Sequence, residues 1–483
     1  MNDDVLSLPV NLVVFMKTVR EVCEKFLEIE KRYDLNQFKI NGVYFWQLIR
    51  VYMYCEISEQ LNLFGSPPQQ SVVGLKEKIL SFIPFIKNSL FLNPLNGDYQ
   101  KKILVFDHPR KVKMEDGTYQ DIYSYFLNNI FKQEEIEIIE SPYLNKHEKE
   151  KENNIRYNDR ILLGSYIYKK LNKLHISKDD NEKILEIEED IKKTFNISIN
   201  LFKIIEMHYL NFMYEYDKYD KLFKKRKPKK VFVVVSYQNQ VVIAAAKDNN
   251  VEVIELQHGV ITKYHLGYSY PNDRIESVAY FPDKLLSFGD YWREIARYPI
   301  KKDNIISIGF PYLDKNTSKY LSIPENKNQI LFISQGVIGK DLSKFAYDLA
   351  KVLSNYNIIY KLHPGEYSTW KNYNYLNKGQ KLPNFEIVDN NEKPLYELFA
   401  ESEYQIGVFS TAIYEGFVFG NKTFIVDLPG SEYLDDLVDN RYVIKVGSVE
   451  DIFDNIDNFK TNSFDADYFF KKYNKSLIDE LIH

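Results

Sequence analysis

Short apolar runs that end in polar, glycine-bearing turns recur along the chain and set its plan. Residues 251–259 read VEVIELQHG, a mostly β-forming run passing straight into Gln257-His258-Gly259. A run of this kind predicts a buried parallel strand that delivers functional groups at its C-terminal edge. The same grammar returns at 356–366, YNIIYKLHPGE, and at 404–416, YQIGVFSTAIYEG, where a strand empties into Ser410-Thr411 and then a helix. Ligands of open α/β sheets collect at that edge. Three such endings in two chain regions predict one cleft between two α/β domains.

The rest of the pattern fits around them. Apolar residues at helical spacing over 12–33 and 40–55 predict two helices, the second strongly aromatic, with Arg50 inside it either paired internally or contacting an anion. Residues 75–95 are apolar, dotted with lysines and broken by Pro84. They suit packing on the core or a flat position on a membrane, with Lys76, Lys78 and Lys87 toward lipid phosphates. Residues 101–110, KKILVFDHPR, form the first clear strand and end in Asp107-His108. A turn and helix at 117–127 and a strand at 136–140 continue a β-α-β alternation. Helices with charged faces fill 159–219, and the basic cluster 223–230 reads as a solvated linker or a patch for acidic lipid or an anionic acceptor.

Further strands are predicted at 230–235, 251–256, 279–288 and 305–309, with a helix at 240–249 and Phe310-Pro311 closing the first domain. A polar stretch, 315–327, reads as a linker. Beyond it strands at 329–334, 357–362, 405–409 and 422–426 alternate with helices at 341–355, 395–402 and 411–419, and helices at 449–459 and 468–482 finish the chain. The expected fold is α/β, two Rossmann-like domains facing across a cleft. Its parts are a helical region at 1–100, a first domain at 101–314, a second at 328–464 and a terminal helix at 465–483.

Composition narrows the function classes. A net charge of −5 over 483 residues gives no electrostatic case for nucleic acid as a partner. Cys23 and Cys55 both stand among apolar residues and are expected as buried free thiols. No leader pattern opens the chain and no run reaches the roughly 18 apolar residues of a membrane span, so a cytoplasmic location is expected.

The strand-end residues carry the candidate chemistry. His258 can take a proton from a hydroxyl near neutral pH, and Gly259 lets backbone approach a ligand. His363, on the turn formed with Pro364, Gly365 and Glu366, can donate to a phosphate or leaving-group oxygen. Ser410 and Thr411 stand where a helix N-cap belongs, a place that also suits an anion, and Glu415 follows one turn later on the same face. Ser334-Gln335-Gly336 is a glycine-bearing loop without the GK[ST] of a Walker motif. Asp107 and His108 divide evenly between loop structure and site. Asp465-Ala466-Asp467 has the form of a metal-binding Asp-x-Asp, but stands where Asp commonly caps a helix. No His/Cys cluster has zinc spacing and no Gly-x-Ser-x-Gly elbow is present.

Taken together, ELQHGV at 255–260, HLGYSYP at 265–271, SFGDYWRE at 287–294, IGFPYLD at 308–314, KLHPGE at 361–366 and FSTAIYEG at 409–416 resemble bacterial capsule and lipopolysaccharide glycosyltransferases of the two-Rossmann (GT-B) type. More distantly the pattern is similar to polysialyltransferases and CDP-glycerol-dependent teichoic acid polymerases. The resemblance covers roughly residues 230–430. It implies a metal-independent transferase that needs no cofactor and takes a nucleotide-sugar and a glycan acceptor. His363 would meet the donor phosphate or assist its departure, Ser410 and Thr411 would hold phosphate, and Glu415 would bind ribose. Gln335, Gly336 and Glu366 would complete the donor side, with Gln257, Gly259 and His265 toward the acceptor or cleft. His258 would be the general base, with Asp107 or His108 in reserve. A CMP-linked acidic sugar is the favoured donor and a UDP-sugar the next. A nucleotide-sugar 2-epimerase and a non-catalytic subunit of a capsule assembly complex are the rival readings.

Overall fold

The computed structural model describes residues 18–65, 85–143, 146–148, 154–271 and 278–482. The first half carries β1 (Ile103–Phe106), a short ribbon of β2 (Val112–Lys113) and β3 (Tyr119–Gln120), β4 (Ile136–Glu140), β5 (Ile155–Tyr157), β6 (Lys230–Val234), β7 (Glu252–Leu256), β8 (Lys284–Ser287) and β9 (Ile305–Ser307). The second half carries β10 (Asn326–Ile333), β11 (Asn357–Lys361), β12 (Phe385–Val388), β13 (Ser402–Gly407), β14 (Lys422–Val426) and β15 (Ile444–Val446). Two large sheets result, ordered β5-β4-β1-β6-β7-β8-β9 and β12-β11-β10-β13-β14-β15. Every pairing inside them is parallel. That is why β1 and β6 read as nearly continuous apolar runs: helices cover both faces, and the carboxylates that do occur on such strands, Glu137, Glu140 and Glu255, are buried.

Counted from its own first strand, the second sheet has the order 3-2-1-4-5-6, and the first sheet repeats it with one strand added. This is the Rossmann order, in which the chain reverses direction of growth beside the first strand and opens a crevice there. The crevices lie at the ends of β1 and β6 in one sheet and of β10 and β13 in the other.

The two units are held together beyond the crevices. Trp292 of the first unit and Tyr414 of the second have ring centroids 4.8 Å apart, and Phe469 of the terminal segment packs at a tilt against Tyr291 and Tyr414. Trp292 Nε1 donates to the Phe469 carbonyl at 2.6 Å. The chain thereby returns to the first unit, where Ile478, in helix Lys475–Ile482, is fully buried in that unit's core. Gly309 (φ +89°) permits the return, because a Cβ there would stand 2.4 Å from the Lys471 carbonyl oxygen. At the other end, helices Val19–Arg32 and Phe45–Gln60 pack on the first unit and reach the second through Arg20–Asp435 (2.6 Å) and Phe64 against Phe409 and Tyr433. Among the described residues no helix is long and apolar enough to cross a membrane.

Several expectations are revised. The stretch expected as a linker begins within a helix, Pro311–Tyr320, because Pro311 sits in its first turn, where its missing N–H is harmless, and Leu313 and Thr317 bury one face. Residues 117–127 give β3 of the short ribbon and the start of a 3-10 turn at Tyr125–Asn129 instead of a helix. The terminal helix is split into Ala466–Phe469 and Lys475–Ile482, since Trp292 and Gly309 draw the intervening backbone onto the first unit. Asp465 caps the former by accepting from Asp467 N–H at 2.9 Å. Cys23 is buried, but Cys55 lies on the exposed side of its helix. The 223–230 cluster is not a free patch: Arg226 is fully buried on Glu137 (3.0 Å), and Lys230 pairs with Glu252 (3.4 Å). Of the 75–95 segment, residues 75–84 fall outside the described residues.

Candidate functional site

Two of the three strand-end motifs touch directly, and the His363 turn reaches them through the Ser334-Gln335 loop. After β7, Gly259 lies against Thr411, whose Oγ1 would be 3.4 Å from a Cβ placed on it, and Val260 N–H donates to the same Oγ1 at 3.1 Å. The Gln-His-Gly loop of one sheet thus touches the Ser-Thr turn of the other. Ser410 caps the short helix Thr411–Phe417, its Oγ accepting from Ala412 N–H at 3.3 Å. Gln335, from the loop after β10, accepts Phe409 N–H through Oε1 at 3.4 Å and ties that turn to Gly336 and its neighbours.

Four imidazoles face this region, and their hydrogen bonds separate them. His363 Nδ1 accepts Gly365 N–H (3.1 Å), His265 Nδ1 accepts Gly267 N–H (3.1 Å), and His108 Nδ1 accepts Arg110 N–H (3.2 Å). An accepting Nδ1 places the proton of a neutral ring on Nε2, so all three present N–H donors. His258 is bonded differently. Its Nδ1 lies 3.3 Å from Tyr268 Oη and its Nε2 3.3 Å from Tyr237 Oη. Tyr268 in turn donates to Glu255 Oε1 at 2.6 Å. Burial lowers all four imidazoles, His265 to about 4 and His258 well below the usual value, the latter with help from His265, His108 and Arg110. The rings are therefore neutral at neutral pH.

Arg110 supplies a positive charge that these groups share and was not among the residues picked out from the sequence. It follows β1 in the loop that carries His108, and its positive charge bears on His258, His363, Glu415 and Tyr123 together. No carboxylate among the described residues approaches its guanidinium to ion-pair distance. Only its position after a strand could have marked it in KILVFDHPR. The His108 and His258 rings stack with centroids 6.3 Å apart, and Tyr123 closes the group at 5.7 Å from His108. Glu415 is half-buried, and burial pushes its carboxyl up to about 7 against a Tyr396 hydrogen bond and the Arg110 charge.

Other expected site residues turn inward, and their roles are corrected accordingly. Glu366 is fully buried: Oε2 accepts His363 N–H at 2.9 Å and Oε1 accepts the Ser334 hydroxyl at 3.1 Å, so it braces the histidine turn and does not face a ligand. Gln257 is also buried, bonding Gly259 O (2.9 Å) and Phe288 N–H (2.8 Å). Asp107 is engaged by Lys111, which also lies 3.6 Å from Glu140, and burial pushes the Asp107 carboxyl up to about 7. Behind it His147 bridges Glu140 and Asp159, one carboxylate on each ring nitrogen. Asp107 therefore anchors the Arg110 loop from behind. His265 lies beside Tyr237, centroids 5.3 Å apart, one layer behind His258.

A cavity of about 490 Å³ lined by Lys327, Tyr356, Glu403 and Lys422 lies elsewhere, where β10, β13 and β14 begin. Glu403 and Lys422 pair across it at 2.6 Å, and strand starts are not where such sheets bind ligands.

No family model matches the chain. It is 28% identical over 208 residues to the uncharacterized protein MJ1060 of Methanocaldococcus jannaschii, covering 41% of this chain and 36% of that protein. The chain thus spans about a third of the length of that curated relative. Solved structures it is similar to include the UDP-GlcNAc 2-epimerase of Methanocaldococcus jannaschii, at 12% identity and TM-score 0.47 over 79% of this chain and 99% of that one. The wall teichoic acid polymerase TagF follows at 13% identity and TM-score 0.41, over 85% and 98%. The class is set by the strand orders themselves and the edges that meet: an α/β chain of two Rossmann-like domains sharing one cleft.

Proposed function

We propose that the chain is a glycosyltransferase that moves a sugar from a nucleotide-activated donor to a cell-surface polysaccharide or lipooligosaccharide. The supporting observation is the meeting of the His258 loop, the Thr411 turn, His363 and Arg110 where the two domains touch. In this reading His363 Nε2–H and the Arg110 guanidinium receive the donor phosphate, and Ser410 and Thr411 sit beside it. Charge-assisted bonds of this kind strengthen as negative charge develops on the departing phosphate. Glu415 takes ribose hydroxyls. The acceptor hydroxyl passes its proton to His258 Nε2 while its oxygen bonds to the anomeric carbon. The bond from that carbon to the phosphate oxygen breaks, and its electron pair leaves with the nucleotide. Arg110 and His363 supply the stabilisation that a metal ion would otherwise give, so transfer needs neither metal nor cofactor.

A CMP-linked acidic sugar is the favoured donor on the resemblance, with a UDP-sugar second. The proposed location is cytoplasmic, at the inner face of the membrane. Ile86, Leu90 and Phe91 stay exposed beside Lys87, which supports contact with acidic lipid there.

The test is transfer from a panel of CMP-, CDP-, UDP- and GDP-sugars to purified surface glycan. His363→Ala is expected to abolish transfer with the fold intact, and near-wild-type turnover would remove His363 from the mechanism. Conversion of donor alone to its 2-epimer would make the chain an epimerase. Neither transfer nor donor hydrolysis would leave a non-catalytic subunit.

A further inference from the structure

His258 is the one cleft imidazole whose Nδ1 does not accept a backbone N–H, and what it meets instead is built with care. Tyr268 and Glu255 are both fully buried. Two donors converge on a single oxygen of Glu255: Tyr268 O–H at 2.6 Å and Ser236 N–H at 2.9 Å, both on Oε1. The second oxygen, Oε2, has no partner. Burial pushes the Glu255 carboxyl up to about 7; once ionised it takes the Tyr268 hydrogen, and the Tyr268 oxygen can then only accept from His258. The Nδ1 of His258 must then carry the ring proton, and Nε2 is left with its lone pair facing the Tyr237 hydroxyl at 3.3 Å.

The backbone supports the same arrangement. Val235, directly after β6, has φ +66° and ψ +74°, a conformation that a β-branched residue adopts only under strain. The bend at Val235 turns Ser236 N–H onto Glu255 and Tyr237 onto His258.

We infer that Glu255 and Tyr268 are positioning residues that hold His258 in the Nδ1–H tautomer, making its Nε2 the basic nitrogen of the cleft. The inference rests on the reading of His258 as proton acceptor, but the tautomer is a property of the protein whatever reaction it performs. When Nε2 takes a proton from the acceptor hydroxyl, the imidazolium keeps Nδ1–H on Tyr268, and Tyr268 keeps its own proton on Glu255. No charge moves through the relay. Its work is orientation.

The tautomer is read directly by nitrogen NMR of the full-length protein labelled at its eight histidines, with the His258→Gln spectrum identifying the His258 signals. The expected result is Nδ1–H for His258 and Nε2–H for His108, His265 and His363. Glu255→Gln should leave the His258 tautomer unchanged, because the amide carbonyl can replace Oε1 and the amide nitrogen falls where Oε2 has no donor to offend. Tyr268→Phe should mix the two tautomers and lower kcat about tenfold or more with little change in KM. It should also move the acidic limb of the pH–rate profile downward, since the imidazolium loses its acceptor. An Nε2–H His258 in the wild type, or an unchanged tautomer in Tyr268→Phe, would overturn the inference. If Tyr268→Phe does not fold, the wild-type and Glu255→Gln spectra still decide it. Nδ1–H His258 in a protein without transferase activity would leave the relay standing and remove the functional reading instead.

Discussion

The buried pair Arg50–Glu30 offers a prediction whose size follows from its surroundings. Both side chains are essentially inaccessible, at 1% and 0% of their surface. Arg50 donates Nε to Glu30 Oε1 at 2.5 Å, Nη2 to Oε2 at 3.0 Å and Nη2 again to the Ser269 carbonyl at 2.7 Å. Its guanidinium lies over the Tyr270 ring at 4.0 Å. Arg50→Ala removes all of these and leaves the Glu30 carboxylate buried with Trp46 Nε1 as its remaining donor, at 2.6 Å. Stranding one partner of such a pair costs about 3–5 kcal/mol, whereas replacing both by apolar groups of similar volume is often near neutral. Arg50→Met with Glu30→Leu should therefore lose clearly less stability than Arg50→Ala alone. Urea unfolding of the wild type, Arg50→Met, Glu30→Leu and the double completes a double-mutant cycle, with Arg50→Ala measured beside it. Arg50→Ala costing under about 1 kcal/mol, or a double variant as costly as the sum of its singles, would refute the reasoning. The pair also bears on the site: it holds Ser269, next to Tyr268, so Arg50→Met should lower turnover without touching nucleotide affinity.

Three further outcomes are expected. Arg110→Met should weaken nucleotide binding by about 10- to 100-fold in calorimetry, the loss of one charge-assisted contact of roughly 1.5–3 kcal/mol, while Arg110→Lys recovers only part; affinity within twofold of wild type would remove Arg110 from the phosphate site. His147, held between Glu140 and Asp159, has its pKa raised above 6.5, its two carboxylate partners outweighing the lowering effect of burial. Its contribution to stability is full below pH about 6.5 and is lost as pH rises through the folded-state value, so wild-type Tm should fall across that rise and His147→Gln should flatten the fall; parallel profiles would show that the bridge does not titrate. Leu90→Ser with Phe91→Ser should reduce flotation with anionic vesicles while leaving nucleotide binding intact, and unchanged flotation would count against membrane contact through that face.

The alternation of apolar runs and turn formers was enough to place the central strands of both sheets, because parallel strands buried on two faces are mostly apolar. Three of the four edge strands were not legible: β5, β12 and β15 have three or four residues and mixed burial, whereas β9 was found at 305–309. The sequence reading reached the candidate site where residue type and strand end coincide, as at His258, His363 and Ser410. It failed where a side chain's direction decides, since the sequence does not show that Glu366 and Gln257 turn inward to brace their loops. Arg110 was missed because a guanidinium after His-Pro has no motif of its own, and its charge reaches His363 and Glu415 only once the chain is folded. Cys55 shows the converse error: an apolar neighbourhood in sequence is not a buried face on a helix.

The claim that a nucleotide is bound where the two domains meet is tested most directly by titrating the protein with CMP, CDP, UDP and GDP in a thermal-shift experiment, with and without Mg²⁺. A ligand that binds only the folded state raises its stability by RT ln(1 + [L]/Kd), so the preferred nucleotide stands out. A shift with one of the pyrimidine nucleotides, CMP above all, unchanged by Mg²⁺ and lost in His363→Ala, is the predicted result. No shift with any of the four, or one that survives both His363→Ala and Arg110→Met, would contradict it.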